Sequence, residues 1–169
     1  MYAKPIDTAA SAPAALVDII NGLVLPAQEA CYAAMREFVA WRTRDEQRRK
    51  TRTADATDHI AQGVRTTTAL RDALKEAHCK LGEADNLAGV MLALLDQRGG
   101  LLVDMGVNPA HIERDRTDLT LRREGLRVSM NALLPLIKSA ETMPVALNEL
   151  VFAVAAARAH DEGRSMRLH

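Results

Sequence analysis

One pattern constrains the fold of this chain more than any other. From Ile60 onward, apolar or small residues recur at Ile60, Val64, Thr67, Leu70, Leu74, Ala77, Leu81, Ala84, Ala88, Met91 and Leu95. Every step is three or four residues, the period of a helix that buries one seam against its neighbours. A strand would need alternation every two residues. A helix of about forty residues, on the order of 60 Å long, follows from this seam at 1.5 Å per residue. Such a helix cannot cover its own stripe, so the rest of the chain has to supply partners.

Composition agrees. Of 169 residues, 48% are hydrophobic but only 3% are aromatic, and Ala and Leu dominate the apolar set. Those two favour helices, whereas sheets favour β-branched and aromatic side chains. The expected class is all-α. The length suffices for a core without disulfides or metal. Cys31 and Cys79 lie far apart with no CxxC or CxxH companion, so they read as buried thiols rather than a disulfide framework or a zinc site. No uninterrupted apolar run reaches membrane-spanning length, and "MYAKPIDTAASAPAALVDIINGLVL" makes a poor secretory signal. A soluble, cytoplasmic protein without membrane contact is expected. Arg outnumbers Lys among the 22 basic residues, a usage found in GC-rich bacterial or phage genomes.

Punctuation divides the chain further. Ser11 reads as an N-cap, followed at helical spacing by Leu16, Ile19, Ile20, Leu23 and Val24. Pro26 kinks this helix or opens a second one. Beyond it, Ala27, Ala30, Ala34, Phe38 and Trp41 share a face. The cap-type residues of Thr51–His59 predict a break, and Gly99-Gly100 reads as the end of the long helix. Asn108-Pro109 is a helix start, with Asn as N-cap and Pro at the first helical position. Ile112, Leu119, Leu126 and Leu133 then recur every seven residues, with Arg116, Arg123, Met130 and Ile137 at the alternate seam positions. A heptad with Arg at half of these alternate positions predicts an edge, a wet interface, or ion pairs to acids of another helix. Pro135 ends or kinks that helix, and Thr142 with Pro144 opens a last one lined by Val145, Leu150, Val151 and Val154. The expected architecture is an elongated antiparallel bundle of four to five helices with coiled-coil-like seams. One domain spans 11–162, between flexible tails at 1–10 and 163–169.

Residues that could carry chemistry are few. The chain has no Glu-x-x-His pair, nucleophile elbow, Walker A loop or dinucleotide fingerprint. In "KEAHCKLGE", Glu76, Cys79 and Glu83 fall on one helical side with Lys80 at hand to neutralise a carboxylate, a solvated charged face. His111 and Asp115 are i,i+4 neighbours at a helix start. No catalytic, cofactor-binding or metal-binding residue is assigned, and a non-enzyme without cofactors is expected.

The remaining signal is basic. "WRTRDEQRRKTR" at 41–52 ends the first long helix, where the dipole favours cations. Arg44, Arg48 and Arg52 are spaced four apart in one stripe. Asp45–Arg49 and Glu46–Lys50 are i,i+4 pairs that neutralise part of the charge, and Phe38 and Trp41 fall on the apolar seam rather than among the arginines. These features favour an acidic protein surface over phosphate. The expected function is a protein–protein interaction module, of adaptor, regulator, chaperone or phage-type inhibitor kind. Arg44, Arg48, Arg49, Arg52, Arg116 and Arg123 are its candidate partner-binding residues, and homo-oligomerisation is expected because a short last helix leaves part of a longer seam uncovered. The alternative is a nucleic-acid-binding regulator. "LLVDMGVNPAHIERD" at 101–115 resembles the turn of bacterial helix-turn-helix repressors, which would make 101–116 a DNA-contacting corner. "LLDQRGGLLVDMGV" is similar to helical flagellar-type export chaperones, over a span too short to assign a family.

Overall fold

A computed structural model describes the backbone at 11–51 and 56–165, with side chains at 18–49, 58–150 and 152. The expected tail at 1–10 and the last residues, 166–169, lie outside the described residues. The class is all-α, without a strand among the described residues. The helix count differs from expectation. The described residues form three long helices rather than four or five: α1 (Ser11–Thr51), α2 (Ala56–Asp104) and α3 (Pro109–Ser165). Pro26 and Pro135, each read as a kink or a boundary, and Gly99-Gly100 and Pro144, read as a helix end and a helix start, all lie inside helices. A helix-interior proline loses one hydrogen bond and costs about 3 kcal/mol in isolation. Here buried side chains lie on both sides of Pro26 (Ile20 and Ala27) and of Pro135 (Leu119 and Ala140), and the packing outweighs the lost bond. None of the described helices is long and apolar enough to cross a membrane.

The chain divides into two compact units, and each helix contributes to both. The boundaries on α1 and α3, at Gln28/Glu29 and Leu133/Leu134, fall next to Pro26 and Pro135.

The first unit combines the chain up to Gln28 with Ala77–Leu133. Its core is Ile20, Ala84, Ala88 and Leu119, flanked by Val24, Leu87, Met91, Leu92, Leu95 and Leu126. Ala84 and Ala88 are completely buried; their small side chains let the helices approach closely. α2 and α3 run antiparallel. Arg116 meets Asp96 at 2.9 Å and Arg123 meets Asp85 at 2.9 Å, while Met130 lies beside Gly82. Thus the Arg-bearing half of the heptad resolves into ion pairs with another helix, one of the three outcomes its sequence allowed.

The turn between α2 and α3 follows from its residues. Gly106 has φ of 89°. Its N–H donates to Val103 O at 2.9 Å, and Val107 N–H to Leu102 O at 2.9 Å. That pair of bonds is the Schellman motif with glycine at C′. Asn108 then caps α3, its Oδ1 accepting from Ala110 N–H at 2.9 Å, with Pro109 at the first helical position. The sequence signals at 106–109 therefore mark the α2 terminus, and Gly99-Gly100 do not. A Cβ at Gly106 would touch nothing, so only the backbone opposes substitution. Gly106→Ala is expected to lower stability by about 1–2 kcal/mol through the left-handed conformation. A denaturant midpoint unchanged from wild type would contradict the assignment.

The second unit combines Glu29–Glu76 with the chain from Leu134 on. Ala34, Trp41, Ile60, Leu70, Leu74 and Ala140 are buried. Cys31 Sγ reaches Ala73 O at 3.1 Å and Trp41 Nε1–H donates to His59 O at 3.0 Å, so α1 and α2 are antiparallel here. Thr67, 1% exposed, belongs to the seam because its hydroxyl donates back to Gly63 O at 2.8 Å. On α3 the inward residues are Ala140, Met143, Pro144 and Leu147. Of the four expected to line the last helix, Val145 and Leu150 are exposed instead, and the side chains of Val151 and Val154 lie outside the described residues.

Candidate partner-binding surface

The basic end of α1 belongs to the second unit. Its seam does not stop at Trp41: the steps from Ala34 through Phe38 and Trp41 bring in Asp45 and then Arg48. A carboxylate thus enters the interior, and Asp45 is 8% exposed. A buried carboxylate needs partners, and they are supplied from two helices. Arg49 Nε lies 2.7 Å from Oδ2, Arg48 Nη2 3.4 Å from Oδ1, and His59 Nε2 of α2 3.3 Å from Oδ1. Trp41 closes the cluster by stacking on His59, with ring centroids 5.6 Å apart and an interplanar angle of 20°.

This arrangement splits the predicted arginine set. Arg44 is exposed, bonded only locally to Ala40 O at 3.2 Å. Arg49 is exposed along its length although its head meets Asp45. Arg48 turns inward and is part of the buried cluster. Arg52 lies outside the described residues, as does the Lys50 side chain; Glu46 pairs with Arg42 at 3.4 Å. Arg116 and Arg123 belong to the first unit. Arg116 bridges Asp96 and Glu113, and Arg123 shares Asp85 with Arg127. Their heads are therefore engaged in ion pairs to acidic residues within the chain, whereas that of Arg44 meets only a backbone carbonyl.

Two grooves flank the cluster within the second unit. One, of about 460 Å³, is lined by Arg48, Asp58, His59, Ala61, Gln62 and Arg65. Two guanidinium groups and an imidazole face one carboxylate there, and Arg44 lies one turn before Arg48 on α1. The other, of about 390 Å³, is floored by Phe38, Trp41, Thr67, Met143, Ala146 and Leu147 and rimmed by Arg42, Asp45, Glu46 and Arg49. It is apolar with a charge-balanced rim. Sequence reasoning missed Asp45 and His59 as the organising pair. The signal for Asp45 was the unbroken heptad spacing; His59 sits one residue before the Ile60 seam and gave none.

Other sequence candidates resolve simply. Lys80 Nζ lies 3.0 Å from both Glu83 carboxylate oxygens, and the exposed Cys79 is beside the same group. Burial pushes the Cys31 thiol above its ordinary range, which keeps it protonated and unreactive. Lys75 contacts Glu141 at 2.7 Å and holds that carboxyl below the usual carboxylate range. No group of three or more His, Cys, Asp or Glu residues that could hold a metal ion occurs among the described residues. At 101–116, the two helices stay paired from Gly99 beside Ile112 to Gly82 beside Met130, a tight hairpin rather than the crossing near 90–120° of a helix-turn-helix. Leu101, Val103 and Met105 are exposed at this corner, and Leu102 and Val107 are half-buried.

In comparisons with known protein families, curated proteins and solved structures, this chain matches none.

Proposed function

We propose that this protein is a non-enzymatic interaction module that binds an acidic surface of another protein and also a second copy of itself. The observation that carries the reading is the groove in which Arg48, His59, Gln62 and Arg65 outnumber the single carboxylate of Asp58, with the exposed Arg44 beside it. The buried Asp45 holds Arg48, and the Trp41 ring stacks on His59, so the groove is preorganised and less entropy is lost when a carboxylate-bearing partner docks. Exposed apolar side chains on the outer helix faces, including Tyr32, Met35 and Val39 on α1, supply further area that a protein partner would bury. Adaptor, regulator, chaperone and inhibitor roles all use such a surface.

The test is capture from the native host with wild-type protein and with Arg44→Glu/Arg65→Glu. The double variant is expected to lose the captured protein while its melting temperature stays within about 2 °C, because exposed substitutions change stability little. Arg48→Glu is expected to lower the melting temperature as well, since Arg48 is part of the Asp45 cluster. Capture unaffected by Arg44→Glu/Arg65→Glu would sink the groove as the contact. Retention on duplex DNA that weakens steeply with salt would transfer the reading to nucleic acid.

A further inference from the structure

The outer side of α2 in the first unit carries a second apolar stripe, separate from the core seam. Val90, Leu94, Leu101 and Met105 are 58%, 45%, 51% and 73% exposed. At 100° per residue they fall within about 60° of arc, and Gln97 and Arg98 flank this arc on either side. Met105 stays in register because its N–H still donates to Leu101 O at 3.0 Å. The nearby Asp96 is turned to Arg116 of α3, so Arg98 is the charge nearest the four apolar side chains.

The spacing names the occupant. The separations along the stripe are four, seven and four residues, a sequence that reads the same in either direction. A two-fold interface requires this symmetry, because each patch has to complement itself. In an antiparallel pair centred between Gln97 and Arg98, Val90 faces the other copy's Met105, and Leu94 faces its Leu101. Both contacts are apolar on apolar, and the axis falls among polar side chains. A different protein as partner would place no such demand on the spacing.

We propose that this stripe is a self-association face on which a second copy of the chain docks, α2 against α2, antiparallel about an axis between Gln97 and Arg98. The proposal deepens the interaction-module reading and rests on it. Four side chains per copy make a small interface, so dimerisation depends on concentration. Arg98 approaches its own counterpart near the axis, and added salt strengthens the dimer by screening that repulsion.

The test is sedimentation equilibrium of the full chain from micromolar to several hundred micromolar protein, with Leu94→Glu, Leu101→Lys and their combination. Wild type shifts toward dimer as concentration rises. Each single variant loses about tenfold or more in association constant by placing a charge against leucine, while its helical circular dichroism and melting temperature stay at wild-type values. Mixing the two single variants restores a one-to-one dimer, because one copy's Glu meets the other's Lys and the remaining leucines meet each other. The double variant associates with itself for the same reason. A wild type that is monomeric throughout overturns the self-association face and leaves the acidic-partner reading to its own capture experiment. Dimers that the single variants leave intact, or a mixture that fails to pair, overturn the stripe and its register.

Discussion

Gly63→Ala is expected to lower the stability of the second unit by about 3 kcal/mol, an unusual cost for the addition of one methyl group. The cause is the only tryptophan. A Cβ at Gly63 would fall inside the indole of Trp41, 2.6 Å from Cε2 and closer still to Cζ2. Trp41 cannot yield cheaply, because it is 7% exposed, donates its N–H to His59 O and stacks on the His59 ring. Moving the indole would break the hydrogen bond and uncover the Asp45 cluster beneath it. In most helix interiors glycine to alanine is stabilising by about 0.5–1 kcal/mol through propensity, so the sign itself is diagnostic. Gly22→Ala, where a Cβ meets nothing, is the matched control with the ordinary sign. Thermal unfolding reports the magnitude, and Trp41 emission reports the cause by shifting to the red when the ring is pushed into water. Trp41→Phe removes the atoms that collide, so Gly63→Ala should cost much less in the Trp41→Phe background than in wild type. Additive effects would show that the two residues do not touch.

Ala84→Leu is the second large effect, expected at about 2–3 kcal/mol in the first unit. Ala84 is completely buried in a cluster with Ile20, Ala88 and Leu119. Three extra carbons there have no cavity to enter, so α1 or α3 has to move away from α2. Partial compensation is expected from Leu119→Ala, which opens space in the same cluster. The same enlargement at the exposed Ala132 of α3 should change stability by less than about 0.5 kcal/mol. Urea midpoints for the three variants check this ordering. Equal losses at Ala84 and Ala132 would mean that the cluster is not closely packed.

The two sites show different degrees of legibility. Ala84 and Ala88 fall on the seam that spacing alone picks out, and burial follows that seam closely from Ile60 to Ala88. From the sequence, Gly63 reads only as a bend or a place where a neighbouring helix can approach closely; which side chain fills that space cannot be read from it. It sits beside the seam, and its meaning depends on an indole supplied 22 positions earlier by another helix. The arginines divide in the same way. Their clustering was visible, but not that one buried carboxylate pairs with Arg48 and Arg49 and turns only Arg48 inward, while Arg49 and Arg44 stay exposed.

The sequence by itself determined the class, the α2 seam from Ile60 to Ala88 and the capping residues at 106–109. These depend on helical periodicity, on the left-handed freedom of glycine and on capping chemistry, all local in the chain. Only the tertiary structure decided that Pro26, Gly99-Gly100, Pro135 and Pro144 continue helices rather than end them. Their local penalties are a few kcal/mol at most, and burial spread over a long helix exceeds that. Tertiary structure also decided that Arg116 and Arg123 meet Asp96 and Asp85, and that Asp45 is an interior residue. Which charges pair across helices depends on register between segments distant in the chain, and no local pattern encodes that.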